Sequence, residues 1–114
     1  MPAKAIRAPA HLSEDTAQWF KSVHADFDLE PHHDKLLGLA CEAFDRCRQA
    51  RETLDRDGLT VPTGDGGLKA HPCIGIERDS RLAFARLLRE LDLDAEGPSE
   101  RARPPALRSN RRGG

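Results

Sequence analysis

Between two strongly amphipathic stretches lies the run Gly58-Leu59-Thr60-Val61-Pro62-Thr63-Gly64-Asp65-Gly66-Gly67-Leu68-Lys69-Ala70-His71-Pro72, and this interruption limits what the whole chain can fold into. It reads as a β-hairpin inside a helical protein. Leu59 to Pro62 can run extended, Gly64-Asp65-Gly66-Gly67 tolerates positive φ, and Leu68 to Ala70 can return antiparallel, giving an expected hairpin over residues 59–70. A two-stranded ribbon with so little apolar surface is marginal in water by itself. It needs a support, and neighbouring copies of the same chain are a natural one, with Leu59, Val61 and Leu68 as candidate contacts.

The flanking segments carry helical periodicity. Residues 1–12, with Pro2 and Pro9 among small side chains, read as a flexible arm. Ser13 is a good N-cap, Glu14 and Asp15 suit the dipole of a first helix, and Thr16, Trp19, Phe20, Val23 and Phe27 recur at helical spacing. After a break at Asp28 to Pro31, a second and longest helix from about His33 to Asp57 gathers Leu36, Leu37, Ala40, Ala43, Phe44, Cys47 and Leu54 in one arc. Glu42 with Arg46, Arg48 with Glu52, and Glu52 with Arg56 are spaced to support its solvent side, and Gly58 suits its C-terminal cap. Arg51 projects from the apolar arc. Either its stem lies along the core edge with its head in water, or it forms an ion pair with another subunit.

A third helix should begin near Pro72 and run to about Leu91, with Ile76, Ala83, Phe84, Leu87, Leu88 and Leu91 on one face. Its other side carries Arg78, Arg81, Arg86 and Arg89. Beyond it, Gly97, Pro98, Pro104 and Pro105 among scattered arginines cannot bury enough apolar surface to order themselves, so residues 94–114 read as a disordered arginine-rich tail.

At 114 residues the chain is one small helical domain, residues 13–93, plus its ends. Its aromatics are Trp19, Phe20, Phe27, Phe44 and Phe84, with no tyrosine, so the interior is largely leucine and alanine, which suits helix packing better than a β-sandwich. The net charge of −1 hides an uneven distribution. Residues 14–57 hold eleven acids against six bases, whereas the arm carries Lys4 and Arg7 with no acid, and residues 101–114 carry Arg101, Arg103, Arg108, Arg111 and Arg112 with no acid. Cys41, Cys47 and Cys73 lack the close pairs of a zinc or redox motif and, with no signal-peptide pattern, read as free thiols in a reducing cytoplasm. No apolar run approaches the roughly 20 residues needed to span a bilayer, so no membrane partner is expected.

Features that could suggest catalysis have simpler explanations. Gly64-Asp65-Gly66-Gly67 lacks the lysine and hydroxyl residue of a phosphate-cradling loop. His32 and His33 near Asp34, and His71 near Cys73, have no four-ligand metal arrangement, and Cys41 and Cys47 sit beside apolar neighbours with no oxyanion site. The expectation is a protein that is not an enzyme and needs no cofactor. The arginine stripe of the third helix has three competing uses: phosphate contact, subunit contact, or a solvated face. If copies of the chain assemble, several weak basic patches pointing one way act as one strong site.

The ordered elements carry a family resemblance. Leu12-Ser13-Glu14 opens a helix holding Trp19; Leu29 and Asp34 precede Leu39-Ala40-Cys41-Glu42-Ala43-Phe44; Gly58-Leu59-Thr60-Val61 leads into a hairpin with Gly66-Gly67-Leu68-Lys69; and His71-Pro72 precedes Ile76-Glu77-Arg78-Asp79. From about Leu12 to Leu93 this order resembles the small subunits of tailed-bacteriophage terminases, within them the compact helical subunits of the cos-type, HK97-like group. A departure falls at Leu91-Asp92-Leu93-Asp94, where the family often has Leu-Gly-Leu followed by threonine and proline.

The resemblance implies a mainly α fold, three helices with a hairpin between the second and third, assembled into a homo-oligomeric ring. It also implies a non-catalytic part of the genome-packaging motor, working in the host bacterial cytoplasm. Such a part binds the packaging start site on viral double-stranded DNA, delivers it to the large ATPase and nuclease subunit, and regulates that subunit. On this reading Lys4, Arg7, Arg78, Arg81, Arg86 and Arg89 are candidates for DNA contact, the tail arginines for the large subunit or DNA, and Leu59, Val61, Leu68 and Arg51 for oligomer contacts. Two alternatives are a small helical transcriptional regulator and an oligomeric adaptor with no nucleic-acid role. A helix-turn-helix joins its helices through three or four residues, and the hairpin counts against it.

Overall fold

The computed structural model describes residues 6–93. Along the chain they form α1 (Glu14–Asp26), α2 (Pro31–Asp57), β1 (Thr60–Pro62), β2 (Leu68–Ala70) and α3 (Cys73–Leu91). The fold is therefore mainly helical, with a two-stranded antiparallel sheet between α2 and α3, as the sequence pattern implies.

Each boundary has a local cause. Ser13 caps α1 by accepting the Thr16 N–H on its side chain, and Glu14 and Asp15 fill the first turn. Pro31, placed in the break by the sequence pattern, is instead the first residue of α2, where its missing N–H is no loss; Glu30 and His33 form a reciprocal capping box around it. Gly58 ends α2 at φ 88°, a conformation that favours glycine. The hairpin register pairs Thr60 with Ala70, Val61 with Lys69 and Pro62 with Leu68. His71 N–H donates to the Leu59 carbonyl at 2.8 Å and Thr63 N–H to the Gly67 carbonyl at 2.9 Å, which makes 59:71, 61:69 and 63:67 the hydrogen-bonded pairs. Pro62 then points its nitrogen to the outer edge, the one position in a strand where a proline removes no ladder bond.

α2 and α3 are antiparallel neighbours, since Cys47 meets Glu77, Phe44 meets Phe84, and Leu37 and Cys41 share a cluster with Leu91. α1 lies across the N-terminal half of α2 and the C-terminal end of α3. It joins a core of Leu12, Phe20, Val23, Leu37, Cys41 and Leu91, flanked by Trp19, Phe27, Leu36 and Leu88. Burial and the nearby Asp45 and Glu42 push the Cys41 thiol up to about 12. Of the segment read as an arm, Leu12 is buried in this core and Ala8 packs against it.

α1 is pinned to α2 by a buried carboxylate. Asp45 accepts hydrogen bonds from the Ser13 N–H at 2.7 Å, the Ser13 hydroxyl at 2.9 Å and the Thr16 hydroxyl at 2.6 Å. Burial pushes its pKa up, but these donors outweigh burial and hold the carboxyl below the usual range. Because α1 reaches only halfway along the α2–α3 pair, α3 is less covered than its apolar face suggests. Only Glu77 and Leu91 are buried there, and Ile76 is exposed. The four-residue pairs expected on α2 give way to other partners: Glu42 turns to His11, Arg48 to Asp15 and the Phe44 ring, and Arg56 to Asp57. The four-residue ion pair on α2 is Arg51 with Asp55, at 3.6 Å.

Candidate nucleic-acid interface

The angle at which α3 leaves the hairpin is set by His71. Its buried ring accepts the Cys73 N–H on Nδ1 at 3.0 Å, which leaves Nε2 to donate to Asp57 at 3.1 Å. The His71 carbonyl accepts the Ile74 N–H at 3.0 Å, and Pro72 sits in helical geometry at the N-cap. One side chain thus ties the end of α2, the end of β2 and the start of α3 together. The hydrogen bond from His71, then that from Arg56, holds the Asp57 carboxyl below the usual carboxylate range.

From that start, 3.6 residues per turn distribute the arginines unequally. Glu77, Phe84, Leu88 and Leu91 turn toward α2 and the core. Arg78, Leu82, Arg86 and Arg89 follow one another at steps of four, four and three, within an outward arc of about 80° and a length of about 16 Å. All four are exposed, Leu82 at 58%. Arg78 meets its neighbour Asp79 at 3.2 Å, both side chains in solvent. Arg86 and Arg89 have no ion pair among the described residues, so their charges are available to an outside anion.

Arg81 differs. It lies on the flank of α3, where it pairs with the buried carboxylate of Glu77, and Arg51 of α2 approaches the same carboxylate at 3.8 Å. The hydrogen bond from Arg81 is the largest influence on Glu77 and holds it below the usual range, while Arg81 is raised in turn. The Cys47 thiol, 3.7 Å from Glu77, is pushed up first by burial and then by that negative charge. Arg51 and Arg81 are thus balanced within the chain, although both head groups stay more than half exposed.

The other candidates are scattered. Arg7 is exposed on the segment before α1. Lys4, Arg101, Arg103, Arg108, Arg111 and Arg112 lie outside the described residues. On the hairpin, Leu59 and Leu68 are 62% and 71% exposed and Val61 is half-buried. Among the described residues no group of three or more His, Cys, Asp or Glu side chains could hold a metal ion, and no helix is long and apolar enough to cross a membrane.

Sequence reasoning missed Asp45, Glu77 and the His71–Asp57 clasp. Glu77 had a signal, being a carboxylate on the otherwise apolar arc of α3, whereas Asp45 falls on the solvent side of the α2 pattern and had none. It also missed a cleft of about 360 Å³ at the step where α1 begins, lined by Asp15, Thr16, Trp19, Phe44, Arg48 and Phe84.

No curated protein and no solved structure matches the chain. A family model does match, that of the phage terminase small subunit, over residues 17–109. The match takes in α1 from residue 17 onward, α2, the hairpin and α3, which carries the arginine face. The chain belongs to the phage terminase small subunit family.

Proposed function

We propose that this chain is the non-catalytic DNA-recognition subunit of a viral genome-packaging motor, acting as a homo-oligomeric ring in the host cytoplasm. It binds double-stranded DNA at the packaging start site, presents it to the large ATPase and nuclease subunit, and regulates that subunit. The HK97-like, cos-type group is the one its hairpin and His71-Pro72 entry fit best. The observation that carries the DNA reading is the outward face of α3, where Arg86 and Arg89 have no ion pair among the described residues and Arg78 has only an exposed neighbour. Contacts to a phosphate backbone need charge more than fixed geometry, and this face supplies it. Arg7, and Lys4 outside the described residues, are further candidates for DNA contact, and Arg81 adds less because Glu77 already balances it. The tail from Arg101 to Arg112 is assigned to the large subunit or to DNA.

The test is duplex binding measured against salt for the parent and for a variant with Arg78, Arg86 and Arg89 changed to Gln. Each phosphate contact removed should flatten the slope of log K against log salt by about 0.9. An unchanged slope from a variant with unaltered assembly would remove α3 from the DNA interface.

A further inference from the structure

Phosphate contact accounts for the arginines on the outward face of α3 but not for the leucine in their midst. We infer that Leu82 reads thymine methyl groups in the major groove of the duplex. The inference rests on the proposal that this face binds DNA, and adds which groove it enters and what it recognises there.

Leu82 lies four residues after Arg78 and four before Arg86, so about 6 Å of helix separates it from each. It stands near the middle of their arc and is 58% exposed. No acid falls within that arc; Asp79 and Glu90 lie at its border. Gly75 shares the arc and the exposed Ala85 flanks it, and neither has the bulk to hold the backbone away from a partner. A leucine exposed singly on a solvated face needs no partner. Here the charges on both sides of it would engage phosphates, and the isobutyl group between them is then carried into the groove and out of water.

The dimensions select the groove. A helix with its side chains is about 10–12 Å across, which the major groove, about 12 Å wide, admits and the minor groove, about 6 Å wide, does not. Leucine has no donor or acceptor, so the hydrogen-bonding edges of the bases offer it nothing. The apolar group presented in the major groove is the C5-methyl of thymine. Covering one methyl should raise affinity about fourfold, the worth of one buried carbon.

The experiment compares two duplexes of equal length, alternating dA·dT and alternating dA·dU, which differ only in the C5-methyl. In the first, a methyl lies under the face in every register. The full-length parent should bind the thymine duplex more tightly, by about fourfold for each methyl covered, with equal salt slopes because no phosphate contact differs. Leu82→Ala should bind the two duplexes alike and keep the parent's slope. Since Leu82 is exposed, the fold is not at stake in this variant.

A parent that binds both duplexes equally would overturn the inference and leave the DNA reading standing. Leu82→Ala retaining the preference for thymine would also overturn it, because another residue would then read the methyl. Failure of Leu82→Ala to assemble like the parent in native mass spectrometry would assign Leu82 to a subunit contact, with the same result. A parent that binds neither duplex at low salt would overturn the DNA reading and this inference together.

Discussion

Asp45 is the most exacting point of the fold, because one carboxylate holds the start of α1 against the middle of α2. Asp45→Ala removes the acceptor of three hydrogen bonds, from the Ser13 N–H, the Ser13 hydroxyl and the Thr16 hydroxyl. A bond to a charged acceptor contributes about 1.5–3 kcal/mol net, but the three do not add. The two hydroxyls already lie 3.0 Å apart and can turn to each other or to water, whereas the Ser13 N–H is fixed in direction. The expected loss is therefore about 3 kcal/mol, with one unsatisfied backbone donor as the largest part. For a domain of this size that lowers Tm by about 12–24 °C. Asp45→Asn keeps one oxygen for the Ser13 N–H and presents an amide to hydroxyls that can rotate to accept, so about half the loss is expected.

The pH dependence supplies a second arm. The Asp45 carboxyl titrates lower in the folded chain than in the unfolded one. Its contribution is complete above the unfolded value of roughly 4 and disappears as pH falls through the folded value. The gap between parent and Asp45→Ala in urea or thermal unfolding, followed by circular dichroism, should narrow on acidification. A variant within about 0.5 kcal/mol of the parent, or a gap that does not change with pH, would refute the reasoning.

Other predictions follow from single contacts. His71→Ala should speed amide exchange in β2 and the first turn of α3 by about tenfold, as expected for a loss of about 1–2 kcal/mol, and leave α1 unchanged; equal acceleration in α1 would contradict the clasp. The Asp57 contribution to that clasp, its carboxyl being lowered, should be present above pH roughly 4 and fade below it. Iodoacetamide at pH 8 should label half-buried Cys73 before Cys41, which is fully buried and raised to about 12; early labelling of Cys41, read by peptide mass spectrometry, would contradict the core. Gly66→Ala should destabilise the hairpin by about 1–2 kcal/mol, since Gly66 has φ 93° and an added Cβ would meet no clash but an unfavourable backbone region. Gly64→Ala, at ordinary φ in open space, serves as its control.

Much of this architecture is legible from residue order. Pro62, Gly64, Gly66 and Gly67 punctuate the hairpin within one residue of its observed limits, because turn chemistry is local. Ser13 and Gly58 mark helix ends for the same reason. What local pattern does not carry is which distant side chain a residue meets. Asp45 looks like a solvent-side acid until Ser13 and Thr16, 32 and 29 positions earlier, are brought against it. Glu42 and Arg48 look like helix-surface pairs until His11 and Asp15 offer competing partners. The arginine face of α3 was readable from periodicity. The balancing of Arg81 by Glu77 was not read there, and the step left by a short α1, which opens the aromatic cleft, depends on helix packing that the pattern does not specify.

The central claim, a ring that recognises DNA, is tested most directly by native mass spectrometry of the full chain with and without a double-stranded DNA fragment at low salt. The account predicts a closed oligomer larger than a dimer that retains one duplex per assembly and loses it as salt rises. A dimer bound to a palindromic site would indicate a transcriptional regulator instead. An oligomer of unchanged mass with no DNA retained at low salt would contradict the account and leave an adaptor.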